Sequence, residues 1–185
     1  MRKIIASAGI ALDGVFEAET MGKWAAPFYS EERDEYVRGN VLAADTLLLG
    51  RTTYDLQAWY WPNQKEDKYG IANHKNNMAK YVITSRPLQA QWNNSTIIKK
   101  NVVEEIAKLK QQPGKDIIID GSATLVQSLQ GTGLIDEYRL LVEPFIMGRG
   151  RRFFEDGTAM SKLHLVESKT LKSGTLALIY QPADK

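Results

Sequence analysis

Three short stretches of this chain set hydroxyl groups beside glycine, guanidinium or both. Gly50-Arg51-Thr52-Thr53 follows the apolar run Thr46–Leu49, and Gly121-Ser122-Ala123-Thr124 follows Ile117–Asp120. Thr84-Ser85-Arg86 ends a third such run, KYVIT. The first two lead into amphipathic stretches that read as helices. A helix start leaves backbone N–H groups unpaired and carries partial positive charge. Glycine lets a ligand approach that backbone closely, and a neighbouring hydroxyl adds a donor. The chemistry this suits is phosphate binding. Two such turns at the carboxyl ends of parallel strands would hold the two ends of one pyrophosphate. Arg51 and Arg86 together suit a terminal phosphate such as the 2′-phosphate of NADPH, because guanidinium matches phosphate in charge and fork geometry. Any one turn alone is ordinary helix capping; the agreement of three carries the nucleotide reading. Gly148-Arg149-Gly150 does not continue as G-x-G-x-x-G, and the chain has no Walker A loop, so neither a standard dinucleotide fingerprint nor a P-loop is supported.

The elements that must position these turns follow from periodicity. Ile4–Leu12 reads as a strand stopped by the turn signal Asp13-Gly14. Val15–Phe28 reads as a loop. Ser30 is a helix N-cap with Glu31 and Glu32 in the first turn, and Val37, Val41 and Ala44 fall on one helical face. Thr46–Leu49 is a strand, a helix starts near Thr52 and ends at Trp59-Tyr60-Trp61-Pro62, and a polar loop runs through Asn63–Asn77. Lys80–Thr84 and Thr96–Ile98 are strands. Asn101 caps a helix bearing Val102, Val103, Ile106, Ala107 and Leu109, which Gln112-Pro113-Gly114 ends. Asp116–Ile119 is a strand and Ser122–Gln130 a helix. Glu137–Val142, Leu163–Leu171 and Thr175–Gln181 are strands, the last two joined by the hairpin turn Lys172-Ser173-Gly174. Alternating strands and helices predict a largely parallel sheet covered on both faces, with antiparallel strands added at one edge.

Bulk properties narrow the function. The 185 residues suffice for one domain, taken here as 1–185. Basic and acidic residues number 24 and 22, a net charge of +2, which argues against nucleic acid as a partner. Cysteine is absent, which excludes disulfides and cysteine-ligated metal sites and makes a reducing interior natural. No metal site is expected. The opening IIASAGIAL is strand-length and stopped by Asp13, and no run approaches the roughly 18 apolar residues of a membrane span. A cytoplasmic protein without membrane contact is expected.

With these residues in hand, the sequence resembles the dihydrofolate reductase-like superfamily. It is most similar to stand-alone proteins resembling the C-terminal reductase domain of the bifunctional riboflavin-biosynthesis deaminase–reductase. The stretches that carry the resemblance are Leu12-Asp13-Gly14, LLLGRTTY, ITSRP, IIIDGSATL and GLIDEYRLLVEPFIMGRGRRFF. It implies a three-layer α/β fold, a mixed and mostly parallel sheet with helices on both faces, and NADPH lying across the strand ends. It places Gly50, Arg51, Thr52, Thr53, Thr84, Ser85 and Arg86 at the adenosine phosphates. It places Gly121, Ser122, Ala123 and Thr124 at the pyrophosphate, and Ala8, Asp13 and Gly14 near the nicotinamide. Two departures stand out. Dihydrofolate reductases carry Gly-Gly where this chain has Asp120-Gly121, which leaves their cis peptide an open question here. The deaminase half, with its H-x-E and P-C-x-x-C, is missing.

Hydride transfer also needs a proton source. The resemblance to folate enzymes points to Asp34, sixteen residues before Gly50; it also precedes Val37 and Val41 by three and seven residues, on the helix's apolar stripe. A solvated acid in a helix's first turn is the other reading of Asp34. His74, in the polar loop, and His164, in a strand, read as surface residues. Asp136 and Glu137 read as solvating the start of their strand. Arg149, Arg151 and Arg152 suit a substrate phosphate, solvent or a dimer contact, and Trp59, Tyr60 and Trp61 either wall a pocket or pack the core. The expectation is an NADPH-dependent reductase of a small heterocyclic or ribosylamino-pyrimidine substrate, forming a homodimer. The alternatives are a true dihydrofolate or pterin reductase and a non-catalytic NADP-binding regulatory protein.

Overall fold

A computed structural model describes residues 1–16, 21–157 and 160–183. They form an eight-stranded sheet from β1 (Ile4–Ala11), β2 (Ala44–Gly50), β3 (Ala79–Ile83), β4 (Ser95–Ile98), β5 (Asp116–Asp120), β6 (Glu137–Glu143), β7 (Leu163–Thr170) and β8 (Leu176–Pro182). The spatial order is β4-β3-β2-β5-β1-β6-β8-β7. Pairing is parallel from β4 through β6 and antiparallel for β6–β8 and β8–β7. This is the mixed sheet that the alternation of elements predicts.

The helices are α1 (Met21–Trp24), α2 (Glu31–Leu42), α3 (Arg51–Tyr60), α4 (Ile71–Asn77), α5 (Val102–Gln111) and α6 (Ala123–Leu129), with short 3₁₀ turns at Ala26–Phe28 and Trp61–Asn63. The sheet's two faces are covered by different helices. Ile4, Ala6, Ala8, Ile117 and Ile119 pack with Ile106, Leu109, Val126 and Leu129 of α5 and α6. Leu47, Leu49 and Ile118 face the other way, onto Tyr54 of α3 and Met78 just after α4. Leu141 and Ala177 meet Tyr36 and Val37 of α2 on that same side. The alternation of side chains along each strand produces this division.

Several expected details change. The loop Val15–Phe28 contains α1 and a 3₁₀ turn, while its residues 17–20 lie outside the described residues. The expected polar loop Asn63–Asn77 ends in α4. Its sequence IANHKNN is a weak helix former, but Asp67 caps it, accepting from the N–H groups of Ala72 at 3.0 Å and Asn73 at 2.8 Å. His74 is therefore a helical residue, and its Nε2 lies 2.8 Å from the Ala44 carbonyl rather than on a loop surface. Asn101 is left-handed and makes no side-chain cap. Asp136 and Glu137 do not solvate a strand end. Asp136 pairs with Lys110, and Glu137, 3% exposed, accepts from Arg139 Nε at 2.6 Å. The sheet's edge strand β7 is exposed along its whole length, His164 included.

Candidate functional site

The chain leaves β2 toward β3 on one side and leaves β5 toward β6 on the other. β2 and β5 are neighbours, so a crevice opens between their carboxyl ends where these connections diverge. The Gly50 and Gly121 turns end those two strands. They are joined directly: the Gly50 N–H donates to Ser122 Oγ at 2.9 Å. Around this junction lies a cavity of about 700 Å³. Gly50, Arg51, Thr52, Thr53, Thr84, Ser85, Arg86, Ser122, Ala123 and Thr124 all line it. The three turns singled out in the sequence are thus brought to one place.

The two turns differ in backbone. Gly50 is extended, at φ −75° and ψ 162°, and α3 starts directly after it. Gly121 and Ser122 are both left-handed, at φ 73° and 56°. A Cβ on Gly121 would stand 3.1 Å from Phe16 Cζ, so only glycine lets Phe16 lie against this turn. Phe16 is itself held edge-on by Phe153, with ring centroids 5.6 Å apart. The Asp120–Gly121 peptide is trans.

The electrostatics favour an anion. Among the described residues, Arg51, Arg86, Lys99 and Arg151 line the cavity and no carboxylate does. Two of the four are engaged. Arg51 Nε donates to Asp55 Oδ2 at 2.7 Å and its Nη1 to the Pro87 carbonyl at 2.8 Å, while Arg151 pairs with Glu155 at 3.3 Å. Among the described residues, the guanidinium of Arg86 and the ammonium of Lys99 have no partner. The Arg86 N–H donates to Thr84 Oγ1 at 3.1 Å, which fixes the bend that turns Arg86 toward the cavity.

Other expected residues lie elsewhere. Ala8 is buried in the core under α6. Asp13 and Gly14 clamp the loop after β6. Asp13 accepts from Gly148 N–H at 2.8 Å, and this hydrogen bond holds its carboxyl below the usual carboxylate range. Arg152 Nη1 donates to the Asp13 carbonyl at 2.9 Å, and the Phe153 N–H donates to the Gly14 carbonyl at 2.9 Å. The chain runs from the Asp13-Gly14 turn through Val15 to Phe16, which lines the cavity. Asp34 sits in the first turn of α2, partly exposed, and lines neither this cavity nor the small one beneath α2. Lining residues that the sequence reading did not single out include Phe16, Ile83, Ile98, Lys99 and Val102. All are apolar except Lys99, which follows the short strand Ser95–Ile98 with no glycine at its end.

The described residues hold no cluster of three or more groups able to bind a metal, and no helix among them is long and apolar enough to cross a membrane.

Comparison with known proteins agrees with this architecture. The chain is 30% identical over 184 residues to the uncharacterized protein YyaP of Bacillus subtilis, covering 97% of this chain and 94% of that one. Its fold is similar to that of a diaminohydroxyphosphoribosylaminopyrimidine deaminase/5-amino-6-(5-phosphoribosylamino)uracil reductase from Thermotoga maritima. That match has a TM-score of 0.69 and 14% identity, over 98% of this chain and 57% of the other. It is also similar to dihydrofolate reductase from Enterococcus faecalis, solved with NADP(H), at TM-score 0.63 and 19% identity over 98% and 97% of the two chains. The fold is dihydrofolate reductase-like. The profile of the RibD C-terminal domain matches residues 2–177, and the chain belongs to that family.

Proposed function

We propose that this protein is an NADPH-dependent reductase that delivers hydride to a small nitrogen heterocycle or a ribosylamino-pyrimidine. One observation carries the reading. Three strand-end turns converge on a single cavity that, among the described residues, is lined by four cations and no carboxylate, at the point where the sheet's connections diverge. The family and the reductases that share the fold support it.

The residues fit a phosphate-bearing dinucleotide. The first turn of α3 and the Gly121–Thr124 turn present backbone N–H groups, and Gly121 leaves room beside Phe16 where any side chain would intrude. Phe16, Ile83, Ile98 and Val102 offer apolar walls to flat rings. Bound there, the reduced nicotinamide supplies hydride to an electron-poor carbon. This chain's part is to orient the two partners and to exclude water. Arg51 braces α3 against the loop after β3 through Asp55 and Pro87. Arg86 and Lys99, whose side chains have no partner among the described residues, are the cations we assign to the 2′-phosphate.

Calorimetric titration with NADPH and with NADH tests the reading. Wild type binds NADPH more tightly than NADH. Replacing Arg86 and Lys99 together by alanine weakens NADPH binding by about 10–100-fold and leaves NADH binding little changed. No saturable binding of either cofactor to folded protein would remove the reading. With NADPH bound, consumption of NADPH in the presence of 5-amino-6-(5-phosphoribosylamino)uracil or of dihydrofolate separates the pyrimidine reductase from the folate reductase. Binding without turnover of either favours the regulatory alternative.

A further inference from the structure

The cations of the cavity are unevenly placed. Arg51, Arg86 and Lys99 follow β2, β3 and β4, which lie together on one side of β5. Arg151 comes from the chain after β6, on the other side of β5. The Gly121–Thr124 turn ends β5 and so stands between the two groups. It carries hydroxyls but no cation of its own. Of the three arginines after β6, Arg149 does not line the cavity, and Arg152 Nη1 donates to the Asp13 carbonyl at 2.9 Å. Arg151 is the one of the three that does line it.

The backbone around Arg151 is held firmly and its side chain weakly. Its carbonyl accepts from the Phe16 N–H at 2.6 Å, and Phe16 lies against Gly121. Gln127 of α6 donates through Nε2 to the Arg152 and Phe153 carbonyls, at 3.3 and 2.9 Å. Val15 bridges to Arg152, and the Phe153 N–H donates to the Gly14 carbonyl at 2.9 Å. These contacts anchor Arg151 beside the second turn. Its guanidinium reaches Glu155 at 3.3 Å, and the two side chains are 51% and 52% exposed. An ion pair so open to water is weak and gives way readily to a stronger partner. Phosphate is such a partner, because guanidinium binds it through parallel charge-assisted hydrogen bonds.

We infer that Glu155 is an internal competitor for the cofactor's pyrophosphate: Arg151 exchanges Glu155 for the pyrophosphate when the dinucleotide binds at the Gly121–Thr124 turn. This inference rests on the reductase reading and adds to it a cation that the turn's own sequence lacks. The charges of the ligand support the assignment. NADPH carries negative charge in two places, the 2′-phosphate and the pyrophosphate; NADH carries it at the pyrophosphate alone. Arg86 and Lys99 serve the 2′-phosphate from one side of β5, and Arg151 serves the pyrophosphate from the other. The pair with Glu155 must open before Arg151 can bind, so that pair lowers the apparent affinity for both cofactors. Glu155 thus sets how tightly the cofactor is held without touching it.

Calorimetric titration of wild type, Arg151→Met, Glu155→Gln and the double variant with NADPH and with NADH tests the inference. Wild type is measured first: no saturable binding of either cofactor removes the reductase reading, and the inference with it. With binding established, Arg151→Met weakens NADPH and NADH by the same factor, about 10–100-fold. That parallel loss separates Arg151 from Arg86 and Lys99, whose replacement acts on NADPH. Arg151→Lys keeps part of the affinity. Glu155→Gln tightens both cofactors by about two- to fivefold, and the gain vanishes in the double variant. Adenosine 2′-monophosphate, which has the 2′-phosphate and no pyrophosphate, binds all four proteins equally. Thermal midpoints stay near wild type, because both side chains are half-exposed. A loss confined to NADPH, an unchanged affinity in Arg151→Met, or a Glu155→Gln gain that persists without Arg151 overturns the inference.

Discussion

The α5/α6 face of the sheet is apolar throughout its centre: Ile106, Leu109, Val126 and Leu129 close over Ile4, Ala6, Ile117 and Ile119. The α2–α4 face is split into two smaller apolar clusters, and around them charges are driven inward: Arg33, Lys75, Lys80, Glu137 and Glu143 are all less than 9% exposed. The contrast separates two ways of building a ligand site. On the first side a cavity is shaped by a glycine, an aromatic ring and backbone N–H groups, with its cations at the rim. On the second side, fixed ion pairs orient individual polar atoms. The first arrangement suits a large ligand recognised by shape and phosphate charge, and the second suits a small one recognised by its hydrogen-bonding edge.

The largest effect expected from this contrast lies on the charged face. Glu143 is fully buried and accepts from Arg33 Nη2 at 3.2 Å and from Thr175 Oγ1 at 2.5 Å, tying α2 to the start of β8. Arg33→Met leaves an uncompensated carboxylate in the interior and is expected to cost about 3–5 kcal/mol in a urea titration. Replacing Arg33 and Glu143 together by Met and Leu is expected to recover much of that loss. A single variant as stable as wild type would show that the charged face is not an ordered network.

The next effect compares the two turns. Gly121→Ala must place a side chain at φ 73° and against Phe16, whereas Gly50→Ala meets only ordinary contacts, the nearest being Ser122 Oγ at 3.5 Å. Gly121→Ala is expected to lower stability by about 1–3 kcal/mol and to weaken NADPH binding at least about tenfold. Gly50→Ala is expected to change stability by less than about 1 kcal/mol. Thermal melts and NADPH titrations of the pair check both. Equal effects would mean that the turns are interchangeable, as their sequences suggest, and that the left-handed backbone at Gly121 carries no special role.

That comparison also shows how much was legible in the residues. The strand-then-glycine-then-hydroxyl pattern located both turns, and the alternation of elements predicted the sheet type and its antiparallel edge. The pattern did not reveal that Ser122 Oγ accepts from the Gly50 N–H, because the two turns are 72 positions apart in sequence and meet only when β2 and β5 pair. Local signals also missed α4. Its residues have little helical preference, and Asp67 and the packing of Ala72 and Lys75 supply what propensity lacks. Missing α4 hid Lys75, and with it the ion-pair partner of Asp120. Arg51 illustrates the converse. Its residue type fits phosphate, but Asp55, one helical turn ahead, already occupies it.

The smallest expected effect separates the two buried lysines of the charged face. Lys75 has a carboxylate partner, while Lys80, with no exposed surface, donates only to the Asn76 carbonyl at 3.0 Å and the Met78 carbonyl at 2.8 Å and faces the Trp92 ring. Burial pushes its pKa from 10.5 down to about 8. Between those values the unfolded chain holds a proton that the folded protein has released, so this group makes stability rise as pH rises through that window. Below about pH 8 the folded state must carry the buried charge, and the full penalty applies. In Lys80→Met that slope disappears. The stability of the variant relative to wild type is therefore expected to fall by on the order of 1–3 kcal/mol between pH 8 and 10.5, measured by urea unfolding at fixed ionic strength. A constant difference across the window would mean that the carbonyls at the end of α4 solvate the ammonium as well as water does. Lys80 would then be an ordinary helix-end cation rather than a buried charge tolerated at a cost.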